Sequence, residues 1–203
     1  MTRIPNIMKA QEKFNQMFFL INEYNDLRYF WMTNKDLWKS IEKKNLCYMR
    51  LNRINSMNYI ESIELREGII SSVSDPSKQI SLDLSFKQSI TDVSTLGNVH
   101  TLSLSYCDSI TDVGSLGNVH TLNLSGCGGI TYVSALGNVH TLNLSDCQGI
   151  TDVSALGNVH TLYLSGCGDI TDVSALGNVH TLDLSNCQGI TDVSTLRNVV
   201  YIH

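Results

Sequence analysis

From residue 79 onward the chain writes one twenty-residue unit again and again, and that period constrains the fold more than any single residue does. The unit reads V-H-T-L-x-L-S-x-C-x-x-I-T-D-V-S-x-L-G-N. It runs through 99–118, 119–138, 139–158, 159–178 and 179–198. A less regular copy, QISLDLSFKQSITDVSTLGN, spans 79–98, and VVYIH at 199–203 opens another. Within a unit, TLxLS alternates, so Leu122 and Leu124 share one face while Thr121, Asn123 and Ser125 take the other. One strand this short cannot bury two leucines alone. Stacking each copy on the next gives a parallel ladder, with strands about 4.8 Å apart and one continuous core. Ile130, Val133, Leu136 and Val139 then recur as further inward columns. Asp152, VSAL and Gly157 read as a cap, a single 3₁₀ turn on the outer side and a glycine stop. Tyr132 replaces that aspartate once, so its turn is expected to lose the cap.

The spacing L-x-x-L-x-L-x-x-C, carried by Val119, Leu122, Leu124 and Cys127, resembles the leucine-rich repeat. ITDVSAL also resembles the outer segment of internalin-type repeats, although it lacks their proline and the unit is shorter. The resemblance covers about 79–203. It implies an α/β solenoid: a right-handed leucine-rich-repeat horseshoe with a parallel sheet on its concave side and short 3₁₀ turns outside. Proteins of this family bind other proteins on the concave face.

The cysteines at 107, 127, 147, 167 and 187 form one column facing inward. Neighbouring strands place Cα atoms within disulfide range. Their odd number, inward direction and the reducing compartment argued below favour free buried thiols instead. Sulfurs in a straight line cannot make a tetrahedral metal site. His100, His120, His140, His160 and His180 form a second column beside the strand start. It reads as an exposed edge copied by duplication, or as a pH-sensitive ladder of mutually repelling imidazolium ions. No cofactor or metal is expected, and no nucleophile–base pair or phosphate loop stands out.

Two columns change their letters while the core columns do not. The mid-strand column facing away from the core reads Asp83, Ser103, Asn123, Asn143, Tyr163, Asp183. The column after the serine reads Phe86, Tyr106, Gly126, Asp146, Gly166, Asn186. Residues just past the cysteine, such as Asp108 and Gln148, vary as well. Repeated letters that build a rod, with altered letters projecting from it, suit a diversified binding surface. Drift at solvent-facing positions is the alternative. Aromatic side chains suit binding anchors. The expected anchors are therefore Phe86, Tyr106 and Tyr163, ringed by Asp83, Asp146 and Asp183, with Ser103, Asn123, Asn143 and Asn186 completing the face. An enzyme with a site on the same face is the remote alternative, because these carboxylates stand isolated.

Charge divides unevenly. Residues 1–76 carry 11 Lys and Arg against 9 Asp and Glu, whereas 77–203 carry 3 against 10. An acidic repeat half excludes nucleic acid as the expected partner, since that affinity comes from clustered basic residues. No apolar run reaches the length of a membrane span, and the opening residues lack the shape of a signal peptide. The expected location is cytoplasmic.

The expected division is a helical N-terminal part, 1–76, and a solenoid, 77–203, of six units plus a terminal partial strand. Helices are expected near 8–22, 26–32 and 34–44. Residues 59–73 are expected to form a helix covering the first repeat. As an alternative, Ile60, Ile63 and Leu65 would form a degenerate repeat. The N-terminal part is a structural cap or a partner module. NDLRYFWMTNKDLWKSI (25–41) resembles the second half of an F-box, through Asp26, Leu27, Lys35, Trp38 and Ile41. That resemblance implies a Skp-type adaptor held by Leu27, Trp31, Trp38 and Ile41, and a role in recruiting substrates to a ubiquitin ligase. Regular repeats behind such a start are also similar in style to repeat proteins of giant viruses.

Overall fold

The computed structural model describes residues 49–51, 53–72, 80–196 and 199–201. The helices expected between 8 and 44, and the F-box-like residues, lie outside them.

The repeats form one eight-stranded parallel sheet in strict chain order. The strands are β1 (Met49–Leu51), β2 (Ile80–Asp83), β3 (Thr101–Ser103), β4 (Thr121–Asn123), β5 (Thr141–Asn143), β6 (Thr161–Tyr163), β7 (Thr181–Asp183) and β8 (Val200–Tyr201). From β3 to β7 each residue pairs with the one twenty positions on, as Leu122 does with Leu142. The backbone ladder continues past the strand ends. The N–H of Leu124 donates to the Asn143 carbonyl at 2.8 Å, and that of Gly126 to the Ser145 carbonyl at 2.8 Å. The period thus becomes a translation of the whole coil, not of the strand alone.

The coils beginning at Leu102, Leu122, Leu142 and Leu162 each bury Leu, Leu, Cys, Ile, Val, Leu and Val in turn. For the coil from 122 these are Leu122, Leu124, Cys127, Ile130, Val133, Leu136 and Val139. Burial of this kind is worth roughly 25 cal/mol per Å² of apolar surface. Opposite the strands lie single 3₁₀ turns, Ser94–Leu96, Gly114–Leu116, Ser134–Leu136, Ser154–Leu156 and Ser174–Asn178.

Two details of these turns differ from expectation. The aspartate is not the N-cap: Val153 holds that place without a side-chain bond. Asp152 stands one residue earlier, and its Oδ1 accepts the Ser154 N–H at 2.8 Å. Asp92, Asp112, Asp172 and Asp192 make the same bond to the residue two on. That bond needs a side-chain oxygen at this short reach, so Tyr132 cannot supply it, as expected. Nor is the glycine a left-handed stop. Gly137 and Gly157 have φ of −61°. Glycine is needed there because a Cβ on Gly97, Gly117 or Gly137 would run into the carbonyl oxygen of Ser115, Ala135 or Ala155 in the next coil. The outer turns therefore stack nearly as tightly as the strands.

The start of the sheet was not visible in the repeat. β1 pairs with β2 through Met49–Ile80, Arg50–Ser81 and Leu51–Leu82, so the parallel sheet begins upstream of residue 77. The degenerate strand is Met49–Leu51, not the stretch around Ile60, Ile63 and Leu65. Two helices follow it, α1 (Arg53–Glu61) and α2 (Ile63–Ser72), where one was expected over 59–73. Ser62 makes the break. Its N–H closes α1 on the Asn58 carbonyl at 2.9 Å, and its Oγ accepts the Leu65 N–H at 3.3 Å, a serine cap for α2. The Arg66 guanidinium then donates to the Tyr59 and Ile60 carbonyls at 3.2 and 3.0 Å, satisfying the end of α1. Buried Ser56 ties α1 to the sheet: its Oγ donates to the Leu51 carbonyl and accepts the Asp83 N–H.

Candidate functional site

The strand face presents the mid-strand column in register: Asp83, Ser103, Asn123, Asn143, Tyr163 and Asp183. All six are half-buried. Four of them also bond locally. The Oδ1 atoms of Asp83, Asn123, Asn143 and Asp183 accept the N–H two residues on, from Ser85, Ser125, Ser145 and Ser185, at 2.9–3.1 Å. Their Asp and Asn identity therefore has a structural cause: it holds the bend that follows the strand. Ser103 instead shares a hydrogen with the Ser85 hydroxyl at 2.7 Å. Tyr163 has neither arrangement and stands between Asn143 and Asp183.

The second column sits on that bend and has one backbone conformation throughout. Phe86, Tyr106, Asp146 and Asn186 have φ of 57–63°, and Gly126 and Gly166 have 70° and 74°. This is the left-handed region, which glycine, asparagine and aspartate tolerate and bulky side chains avoid. The alternation of Gly, Asp and Asn follows from backbone chemistry. Phe86 and Tyr106 do not follow from it. They stack face to face, with ring centroids 4.9 Å apart and planes 7° apart, and are 58% and 44% exposed. Tyr106 lies across Gly126, where a Cβ would come within 2.5 Å of its ring. The structure thus brings Phe86 and Tyr106 together. It places Tyr163 in the other column, three or more coils away.

Sequence reasoning missed the clamp beside this pair. Gln88 Nε2 donates to the Tyr106 carbonyl at 2.8 Å and to Asp108 Oδ2 at 3.3 Å, while the Asp108 N–H returns a bond to Gln88 Oε1 at 3.1 Å. Asp108 Oδ1 accepts from the Gly128 N–H at 3.3 Å. Gln148 repeats part of the clamp on the Gly166 carbonyl. The signal was the variation just past the cysteine.

Both single-letter columns are ordered. Each cysteine Sγ donates to the second strand leucine's carbonyl one coil back, Cys127 to Leu104 at 3.1 Å and Cys147 to Leu124 at 3.2 Å. Burial pushes the Cys127, Cys147 and Cys167 thiols up to about 11, 12 and 11. Reactive thiols are depressed in pKa and accessible; these are neither. A thiol reagent is therefore expected to label Cys107 through Cys167 far more slowly in the native chain than after unfolding, with half-buried Cys187 first. Fast native labelling of all five would contradict the buried column.

The five histidines stack ring on ring, 4.6–4.7 Å apart and within 14° of parallel. Each Nδ1 meets the hydroxyl of the following threonine at 3.0–3.3 Å. This orients the imidazoles and gives the fixed threonine column its reason. Among the described residues no group of three or more His, Cys, Asp or Glu is arranged to hold a metal.

A single-turn coil with this leucine spacing, one parallel sheet and a thiol column defines a leucine-rich-repeat solenoid. Residues 98–114, 138–157 and 178–194 match the leucine-rich repeat family, so the units of this chain are leucine-rich repeats. Among solved structures, an internalin (inlF) from Listeria monocytogenes matches at 20% identity with a TM-score of 0.42, over 64% of this chain and 50% of its own. An internalin C2 (inlC2) from the same organism matches at 23% identity with a TM-score of 0.36, over 62% of this chain and 72% of its own. The chain thus spans half the length of the first of these internalins. No curated protein matches the chain.

Proposed function

We propose that this chain is a non-catalytic protein-binding scaffold that engages its partner on the strand face and the adjoining bend. The observation that carries this is the exposed, left-handed Phe86–Tyr106 stack. It retains two bulky rings in a column that elsewhere uses Gly, Asp and Asn. Rigidity supports the same reading, because backbone hydrogen bonds tie neighbouring coils along the strand and the bend that follows it. A fixed face loses little conformational entropy on binding. Against a catalytic role, Asp83 and Asp183 each commit an oxygen to the bend behind their own strand. No helix among the described residues is long and apolar enough to cross a membrane.

The F-box resemblance of residues 25–41 supports a narrower form of this reading, in which 1–76 holds a Skp-type adaptor and 77–203 holds the substrate. Asn143→Arg, in the middle of the face, tests the broader form. It is expected to weaken a captured partner by about thirtyfold, the scale of one lost anchor, while the coil loses only the bond from the Ser145 N–H. A partner that binds the variant with unchanged affinity would remove the strand face from the function.

A further inference from the structure

We propose that the Phe86–Tyr106 stack and the carboxylates of Asp108 and Asp146 form an anchor for a basic, extended segment of a partner protein. This inference rests on the strand-face reading and adds the partner's chemistry. Six large apolar side chains are exposed among the described residues, and Phe86 and Tyr106 are the two that stack on each other. Their rings sit on the bend where the backbone favours glycine, so their retention there is not a folding requirement.

Apart from Lys87, next to Phe86 in the chain, the charge around them is negative. Between 80 and 196 Lys87 is the single basic Lys or Arg, whereas Asp83, Asp108, Asp146, Asp169 and Asp183 all lie on the strand or bend side. Asp108 is fixed beside Tyr106, because Gln88 binds both the Tyr106 carbonyl and the Asp108 carboxylate. Asp146 is exposed in the same column two coils on, and the coil between carries Gly126, Gly128 and Gly129. Stacked apolar rings with the Asp108 carboxylate beside them and Asp146 two coils on match an arginine or lysine. Its methylene stem lies against the rings and its charged head lies among the carboxylates. An acidic segment would meet repulsion along the same path.

The test uses the full chain with an alternating arginine–glycine peptide, and a glutamate–glycine peptide of equal length, in calorimetric titration. The arginine peptide is expected to bind, more weakly as salt rises, and the glutamate peptide not to bind. Phe86→Gly with Tyr106→Gly, which writes the residue found at 126 and 166, is expected to weaken binding at least fivefold without lowering the melting temperature. Asp108→Asn and Asp146→Asn are each expected to weaken it about two- to fivefold. Asp152→Asn with Asp172→Asn, on the outer turns, is the control and should change nothing.

Absence of binding, equal binding by the glycine variant, or an equal loss from the outer-turn control would overturn the anchor. The two readings separate cleanly. If the arginine peptide fails while Asn143→Arg still weakens the captured partner, the face is used and its partner is not basic. If both fail, the strand-face reading falls with the anchor.

Discussion

Gly137→Ala is expected to lower the unfolding free energy by about 3 kcal/mol, although it adds one methyl group at a favourable backbone angle. At φ −61° alanine would ordinarily help, by reducing the freedom of the unfolded chain, with a gain of about 0.4–1 kcal/mol. Here the new Cβ would occupy the place of the Ala155 carbonyl in the next coil. A carbonyl is backbone and cannot rotate away as a side chain could. The outer turns must therefore separate, and the strain passes to Leu136 and Val139, which are fully buried beside the glycine. Gly128→Ala is the matched control. Its Cβ would meet only Asp108 Oδ1, at 3.8 Å, so a change within about 0.5 kcal/mol is expected. Urea unfolding of the two variants decides the matter. Equal midpoints would mean that the turns are not in the contact described.

That glycine shows where reading the repeat reached its limit. Its position was legible, because a period of twenty makes any fixed letter visible. Its cause was not, because a glycine stop and a glycine of close approach look alike without a neighbouring coil. The strand leucines, the inward cysteines and the outer turn followed from alternation and spacing alone. β1 did not follow. Met49–Leu51 occurs once, has three residues, and joins the sheet through contacts with β2 that no local pattern encodes. The break at Ser62 was hidden too, because Ile60, Ile63 and Leu65 suit a continuous helix as readily as two.

The candidate site was half legible. Both variable columns were found, and Phe86 and Tyr106 were picked from one of them. Two different reasons for variation were merged, however. In the mid-strand column Asp and Asn recur because they brace the next bend. In the second column Gly, Asp and Asn recur because φ is positive. Only after these backbone demands are subtracted do the residues that do not meet them stand out: the aromatic pair, and Tyr163 in the other column.

Within the histidine ladder, His120 leads to the other expected effect, a loss of stability on mild acidification. Burial and the neighbouring His100 hold the His120 pKa below the usual value near 6.5. The sign follows from proton binding. Below 6.5 the unfolded His120 takes up a proton that the folded one resists, so the unfolded state binds more protons and stability rises with pH. The stabilisation is therefore fully present above pH 6.5 and is lost as pH falls from there toward the lowered folded value. Two imidazolium rings 4.6 Å apart repel by about 1 kcal/mol even at the dielectric of water. The outer-turn aspartates do not confuse the window. Their bonds to the Ser94, Ser154, Ser174 and Ser194 N–H groups hold Asp92, Asp152, Asp172 and Asp192 below the usual carboxylate range, so they remain ionised throughout it. His120→Gln with His160→Gln leaves the remaining rings two coils apart, roughly 10 Å. Urea midpoints between about pH 7.5 and about pH 5 should fall further for the native chain than for this variant, more so at low salt. Parallel pH profiles for the two would mean that the ladder is an inert product of duplication.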